Sequence, residues 1–284
     1  MFNLKKLFAN RKNNVIPGFG LSMGVTLTLL SLVVLIPLGS ILLILKDYSF
    51  SEFWQAVTDR QTVAAYKVSL SCSLIAAVIN VVFGVLLAWI LTRYKFPGRR
   101  ILDGLIELPF ALPTAVAGIA LTTLYSDKGW IGSLFVKIGV KISYTTIGIT
   151  IAMIFIGIPF VVRSIQPVLE KLDPQYEEAA SILGASRGSI FFRVVLPEIL
   201  PAVLTGFGLA FARSIGEYGS VVFIAGNIPY KTQITPLIIM SKLEQFNYPA
   251  ATSIAFVMIA FSFLVLFGIN LLQARVHGIA GGNV

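Results

Sequence analysis

Apolar residues occur along this chain in long, nearly unbroken blocks, unlike the alternation of a half-buried strand or the three-to-four spacing of a surface helix. About 20 such residues carry a helix across the hydrocarbon core. Six stretches reach that length, approximately 19 to 45, 68 to 92, 104 to 125, 146 to 169, 200 to 225 and 249 to 272. The expected fold class is all-α, a polytopic transmembrane helical bundle of about six spans. No Gly/Ser linker, low-complexity tract or internal repeat breaks the series. Nor does it show the paired broken segments of an inverted-repeat secondary transporter.

One connection, between the fourth and fifth stretches, has a helical grammar of its own. Asp173-Pro174 offers a cap acceptor followed by proline at the first helical position, and Glu177 and Glu178 place negative charge where the helix dipole favours it. Tyr176, Ala179, Ala180 and Leu183 share one face, and Gly184 is the residue best able to end the helix at positive φ. Ser186 then caps a second short helix carrying Ile190, Phe191, Val194 and Val195, and Leu196-Pro197 leads to the next span. An amphipathic loop lying on lipid headgroups is the competing reading. A protein partner fits better, because the first helix carries acids and alanines where a lipid-bound helix carries Lys and Arg.

Composition agrees with a chain held in lipid. Of 284 residues, 56% are hydrophobic and 12% charged, against about 25% charged in soluble proteins. A net charge of +9 would suggest nucleic acid in a soluble protein. Here the basic residues flank the apolar blocks, so no nucleic-acid partner is expected and membrane lipid is. Positive charge gathers in the N-terminal tail (Lys5, Lys6, Arg11, Lys12), at Arg93, Lys95, Arg99 and Arg100, and at Lys171, Arg187 and Arg193. The positive-inside rule then puts both termini in the cytoplasm of a multi-pass inner-membrane protein.

The expected layout is a basic cytoplasmic tail over 1–18, without signal-peptide character, and a first span with its periplasmic connection over 19–67. A transmembrane domain follows over 68–273, with the cytoplasmic loop at about 173–197 inside it, and then a cytoplasmic tail over 274–284. Cys72 cannot form an internal disulfide, and His277 reads as a solvated tail residue. The chain contains neither a metal-ligand cluster nor a nucleophile with a base and an orienting group, so it does not read as an enzyme.

Polar residues at membrane depth normally face protein or water. Arg213 and Glu217 lie four apart in the fifth stretch, either as an ion pair that fixes packing or as lining of a route. Glu107, Pro109, Pro113 and Thr114 interrupt the third, with Glu107 read as sitting near the cytoplasmic interface. Gly206, Gly208, Gly216 and Gly219 read as close helix contacts.

The loop motif Glu178-Ala179-Ala180, then Gly184, then Val194-Val195-Leu196-Pro197 resembles the EAA loop of binding-protein-dependent ABC importers, with Val194 where the pattern has isoleucine. Leu112-Pro113-Thr114-Ala115-Val116-Ala117-Gly118-Ile119, Arg213-Ser214-Ile215-Gly216-Glu217-Tyr218-Gly219-Ser220 and Ile224 to Thr232 resemble the sulfate/thiosulfate importer permeases of the T-subunit type. The resemblance implies a type I ABC importer permease fold. Glu178, Ala179, Ala180, Gly184, Leu196 and Pro197 would couple to the ATPase, and Thr114, Arg213, Ser214 and Glu217 are candidates for the translocation pathway. It further implies a second, W-type permease, two ATPase subunits and a periplasmic sulfate/thiosulfate-binding protein.

The chain has no Walker motif, so ATP and Mg are expected on the partner ATPase and no cofactor on this chain. Molybdate or tungstate import is the nearest alternative. A more distant one is an ion-coupled secondary oxyanion carrier using Glu107, Arg213 and Glu217.

Overall fold

The computed structural model describes the backbone over residues 19–46 and 48–280, and side chains as far as 273. The basic tail 1–18 and the side chains of the C-terminal tail, His277 included, lie outside the described residues. The chain divides into two compact units, one through Phe50 and one from Ser51. The first holds α1 (Phe19–Lys46).

The second unit opens within α2 (Phe50–Thr58), and the long α3 (Arg60–Arg93) follows. Asp59 caps α3, its carboxylate accepting from the amides of Gln61 and Thr62 at 3.1 and 3.4 Å. Next come α4 (Arg99–Ala111), α5 (Thr114–Tyr125), α6 (Gly132–Val136) and α7 (Thr146–Lys171). The short α8 (Gln175–Ile182) precedes α9 (Arg187–Ile215). The chain ends with α10 (Val221–Ile224), α11 (Thr235–Glu244) and α12 (Tyr248–Ala280). All regular structure among the described residues is helical.

Five helices among the described residues are long and apolar enough to cross a membrane, or six if α4 and α5 form one bent span. That bend corrects the expected continuous third span: α4 and α5 meet at 114°. Leu112 precedes a proline, whose ring pushes the preceding residue out of the helical region, and it is extended at φ −88° and ψ 136°.

The fifth span differs too. It begins at Arg187, not at 200, and stops at Ile215, not at 225, so the second loop helix is the start of α9 rather than a separate element. Leu196-Pro197 therefore lies inside a helix. Proline cannot donate to the carbonyl four residues back, and its ring crowds that carbonyl. The turn before it widens into a π-helical turn over Phe191–Val195, closed by Leu196 N–H to Phe191 O. The same solution appears in α1, where the π turn Ser31–Leu35 precedes Ile36-Pro37.

The core of the second unit is formed where α3, α7 and α9 pack together. Val85, Ala88 and Leu91 of α3 meet Val161, Val162, Ile165 and Leu169 of α7 and Ile199, Val203 and Ala210 of α9. Helices in lipid gain little by hiding apolar surface from each other, so close van der Waals approach between small residues holds them. Gly84 and Gly206 both do this against Val161: a Cβ at Gly84 would lie 2.6 Å from Val161 Cγ1, and one at Gly206 would lie 2.9 Å from Val161 Cα. A second cluster joins Cys72, Ala76, Ile149, Ala152 and Met153 to Val221, Ile224 and Ile234. Ser69 of α3 accepts from the Thr235 amide at 2.7 Å, which seats the start of α11.

Candidate coupling and translocation site

The loop folds largely as its local chemistry requires. Asp173 Oδ1 accepts from the Gln175 amide at 2.9 Å, starting α8, and Ser186 Oγ accepts from the Ser189 amide at 3.3 Å, starting α9. Between them Gly184 sits at φ +84°, with open space where a Cβ would point. Residue by residue, α8 is one-sided. Ala180 packs on the α3, α7 and α9 core, whereas Glu178 and Ala179 are exposed, as are Tyr176 and, at 86% and 87%, Ile182 and Leu183. The expected shared face of Tyr176, Ala179, Ala180 and Leu183 is therefore split, with Ala180 turned inward. The start of α8 and the end of the motif come together, since Tyr176 and Pro197 line one recess of about 320 Å3 with Leu172, Arg193, Val194 and Glu198. Leu196 packs against the core beside it.

Behind α8, Arg93 at the end of α3 reaches Glu177. Its Nη2 lies 2.8 Å from Glu177 Oε1 and donates to the Leu172 carbonyl at 3.0 Å. The guanidinium stands 5.9 Å from the Trp89 ring centre. In the sequence Arg93 reads only as a topology charge. Its position as the last residue of a span, before a loop with two adjacent acids, was the available signal.

The second group of candidates lies where α9 ends. Gly216 terminates the helix, and Glu217, just beyond, reaches back to Arg213 Nη1 at 2.6 Å. Glu217 is 2% exposed. Its other oxygen accepts from the Ser220 amide and hydroxyl at 2.8 and 2.9 Å. Burying a carboxylate without partners costs several kcal/mol, and this one has three donors. Ser214 is buried, its hydroxyl 3.5 Å from the Met153 carbonyl. Thr114, at the first turn of α5, lies against Gly219, and a Cβ on Gly118 would meet the Ser220 carbonyl at 2.5 Å. Thr114, Arg213 and Glu217 thus gather around one turn at the elbow of the bent pair. Ser214 faces the interior of the bundle beside them.

A third cluster was not foreseen. Arg163 of α7 donates to Asp103 Oδ1 at 2.8 Å, Glu107 Oε1 at 2.7 Å and Gln166 Oε1 at 2.6 Å, and Gln166 donates to Glu170 at 3.2 Å. Glu107 is therefore a cross-link from α4 to α7. With side chains 30%, 40% and 57% exposed, each pair contributes about 0–1 kcal/mol. The cluster sets where α4 lies more than how stable it is. Asp103 and Glu107, four apart on one helix face, were the signal in the sequence.

Such a bundle, with a bent span, an outward-facing loop helix and a carboxylate buried at a helix end, is that of a membrane permease subunit. The family model for the binding-protein-dependent transport system inner membrane component matches residues 80–278. The sulfate transport system permease protein CysT of Escherichia coli (strain K12) is 52% identical over 269 residues, covering 95% of this chain and 97% of that protein. The CysT protein of Synechocystis is 45% identical, covering 88% of this chain and 87% of its own length. Among solved structures, a bacterial ABC transporter involved in alginate import matches with a TM-score of 0.76 at 17% identity, over 91% of this chain and 96% of that one. The methionine transporter MetNI, in an inward-facing conformation, matches at 0.59 and 16% identity, over 80% and 99%. Both likenesses concern the fold alone. The chain belongs to the inner-membrane components of binding-protein-dependent ABC importers and, within them, to the T-type sulfate permeases. It is a transport subunit, not an enzyme.

Proposed function

We propose that this chain is one of two unlike permeases of an importer that carries sulfate, thiosulfate or both across the inner membrane, driven by ATP hydrolysis on separate subunits. The observation that carries the reading is 52% identity to a sulfate permease over 95% of the chain. On this reading the exposed face of α8, with Glu178, Ala179, Ile182 and Leu183, enters a groove on an ATPase subunit, and Gly184 sets the turn that presents it. Ala180, Leu196 and Pro197 join that surface to the bundle. A W-type permease, two ATPase subunits holding ATP and Mg, and a periplasmic sulfate/thiosulfate-binding protein complete the assembly. Both termini face the cytoplasm.

For a tetrahedral oxyanion, the free amides at the start of α5, the Thr114 hydroxyl and the partly exposed Arg213 offer donors around one elbow. Glu217 holds Arg213 in place, and Ser214 fixes the helix behind it.

The test is ATP hydrolysis by the complete complex in proteoliposomes with the binding protein present. Sulfate, thiosulfate or both are expected to stimulate hydrolysis and be accumulated, and molybdate is not. Stimulation by molybdate or tungstate alone would reassign the substrate. Sulfate uptake that survives ATP depletion and stops when the ion gradient collapses would move the chain to the ion-coupled carriers.

A further inference from the structure

We propose that Arg93 is a positioning residue for energy coupling, tying α8 to α3 so that a displacement of α8 is delivered to that membrane helix as well as to α9. This rests on the reading that α8 meets the ATPase. The chain itself joins α8 to two elements, α7 through Leu172 to Pro174 and α9 through Leu183 to Ser186. It has no covalent path to α3 except through α4 to α7. Arg93 supplies the missing link from the last residue of α3.

One guanidinium nitrogen engages both the Glu177 carboxylate at 2.8 Å and the Leu172 carbonyl at 3.0 Å, so it grips the end of α7 and the first turn of α8 together. Trp89, one turn back on α3, lies beneath the guanidinium and meets Phe191 edge-to-face at 5.5 Å. Phe191 opens the π turn of α9. Arg93 thus joins α3 to the end of α7 and to α8 directly, and to α9 through Trp89.

Two physical points favour transmission over simple surface decoration. The side chains of Arg93 and Glu177 are 16% and 21% exposed, so their attraction is screened far less than that of a solvated pair. Moreover, α8 has no buried residue of its own, so apolar packing alone holds it weakly and a polar tether has a large share of its attachment. The adjacent acids divide the work: Glu177 faces Arg93, and Glu178 is exposed.

The test uses the full complex with its binding protein, reading the fold-stimulation of ATP hydrolysis by sulfate-loaded binding protein and the sulfate imported per ATP. Arg93→Ala and Glu177→Gln are expected to retain the ATPase on purification but lose coupling by about fivefold, and Arg93→Lys to fall between. The exchanged pair Arg93→Glu with Glu177→Arg is expected to recover part of the sulfate imported per ATP, which ties the loss to the contact between the two residues and not to either side chain alone. If Arg93→Ala fails to assemble, the exchanged pair decides: regained assembly and coupling support the tether, and continued failure overturns it. Unaltered stimulation in Arg93→Ala overturns it outright. If the wild-type chain binds no ATPase, the docking reading of α8 fails instead.

Discussion

Glu217 is a buried carboxylate held among donors fixed around it. Removing the carboxylate leaves Arg213 without its partner and the Ser220 amide and hydroxyl without an acceptor. Glu217→Ala should therefore lower stability by about 3 kcal/mol. Glu217→Gln, which keeps an acceptor for Ser220, should cost roughly half that. Thermal unfolding of the detergent-purified chain checks both, and equal losses would show that the charge pair, not the Ser220 contacts, dominates. The Arg213 and Glu217 spacing was readable in the sequence, with an ion pair as one of two open readings. The Ser220 contacts were not, because they exist only when the helix stops at Ile215. Gly184 was the opposite case: its positive φ follows from glycine at the end of a short capped helix, whatever surrounds it.

Elements were legible where local chemistry decided them. The caps at Asp173 and Ser186 stand where side-chain acceptors precede free amides, and the long apolar blocks became long helices. Hydropathy marks what lies in lipid, however, and not where a helix begins. For that reason the hydrophilic start of α9 was read as a separate helix, and the bend at Leu112-Pro113 was averaged into one span. The restriction that proline places on Leu112 was visible locally, but the angle of 114° also depends on how α5 packs. Gly118 sets that packing. Its missing side chain lets α5 rest on the backbone at Ser220, with a Cβ there only 2.7 Å from Ser220 Cα. Backbone cannot swing aside as a flexible side chain can, so Gly118→Val should cost about 1–3 kcal/mol through overpacking and reduce sulfate uptake. Gly104→Val, at a position where a Cβ would have nothing within 4 Å, is the control for measuring both.

At the scale of the whole molecule, the proposed topology, with both termini in the cytoplasm, sets α8 on the cytoplasmic side and the α5–α7 connection on the periplasmic side. Two exposed residues mark these faces, Ile182 at 86% and Trp130 at 89%. With the native Cys72 buried, a membrane-impermeant maleimide should label Trp130→Cys from outside intact spheroplasts and Ile182→Cys only in inside-out vesicles. The reverse pattern would invert the topology. The family and the number of spans were legible because both are written in contiguous residues. The Arg163 cross-link was not, since Asp103 and Glu107 meet an arginine about sixty positions away. The near-absence of burial in α8 has a practical corollary. Because Ile182 and Leu183 support no core, damage there should leave the folded chain intact, and on the proposed docking of α8 a screen for expression or heat resistance would pass as healthy the very variants that have lost their drive.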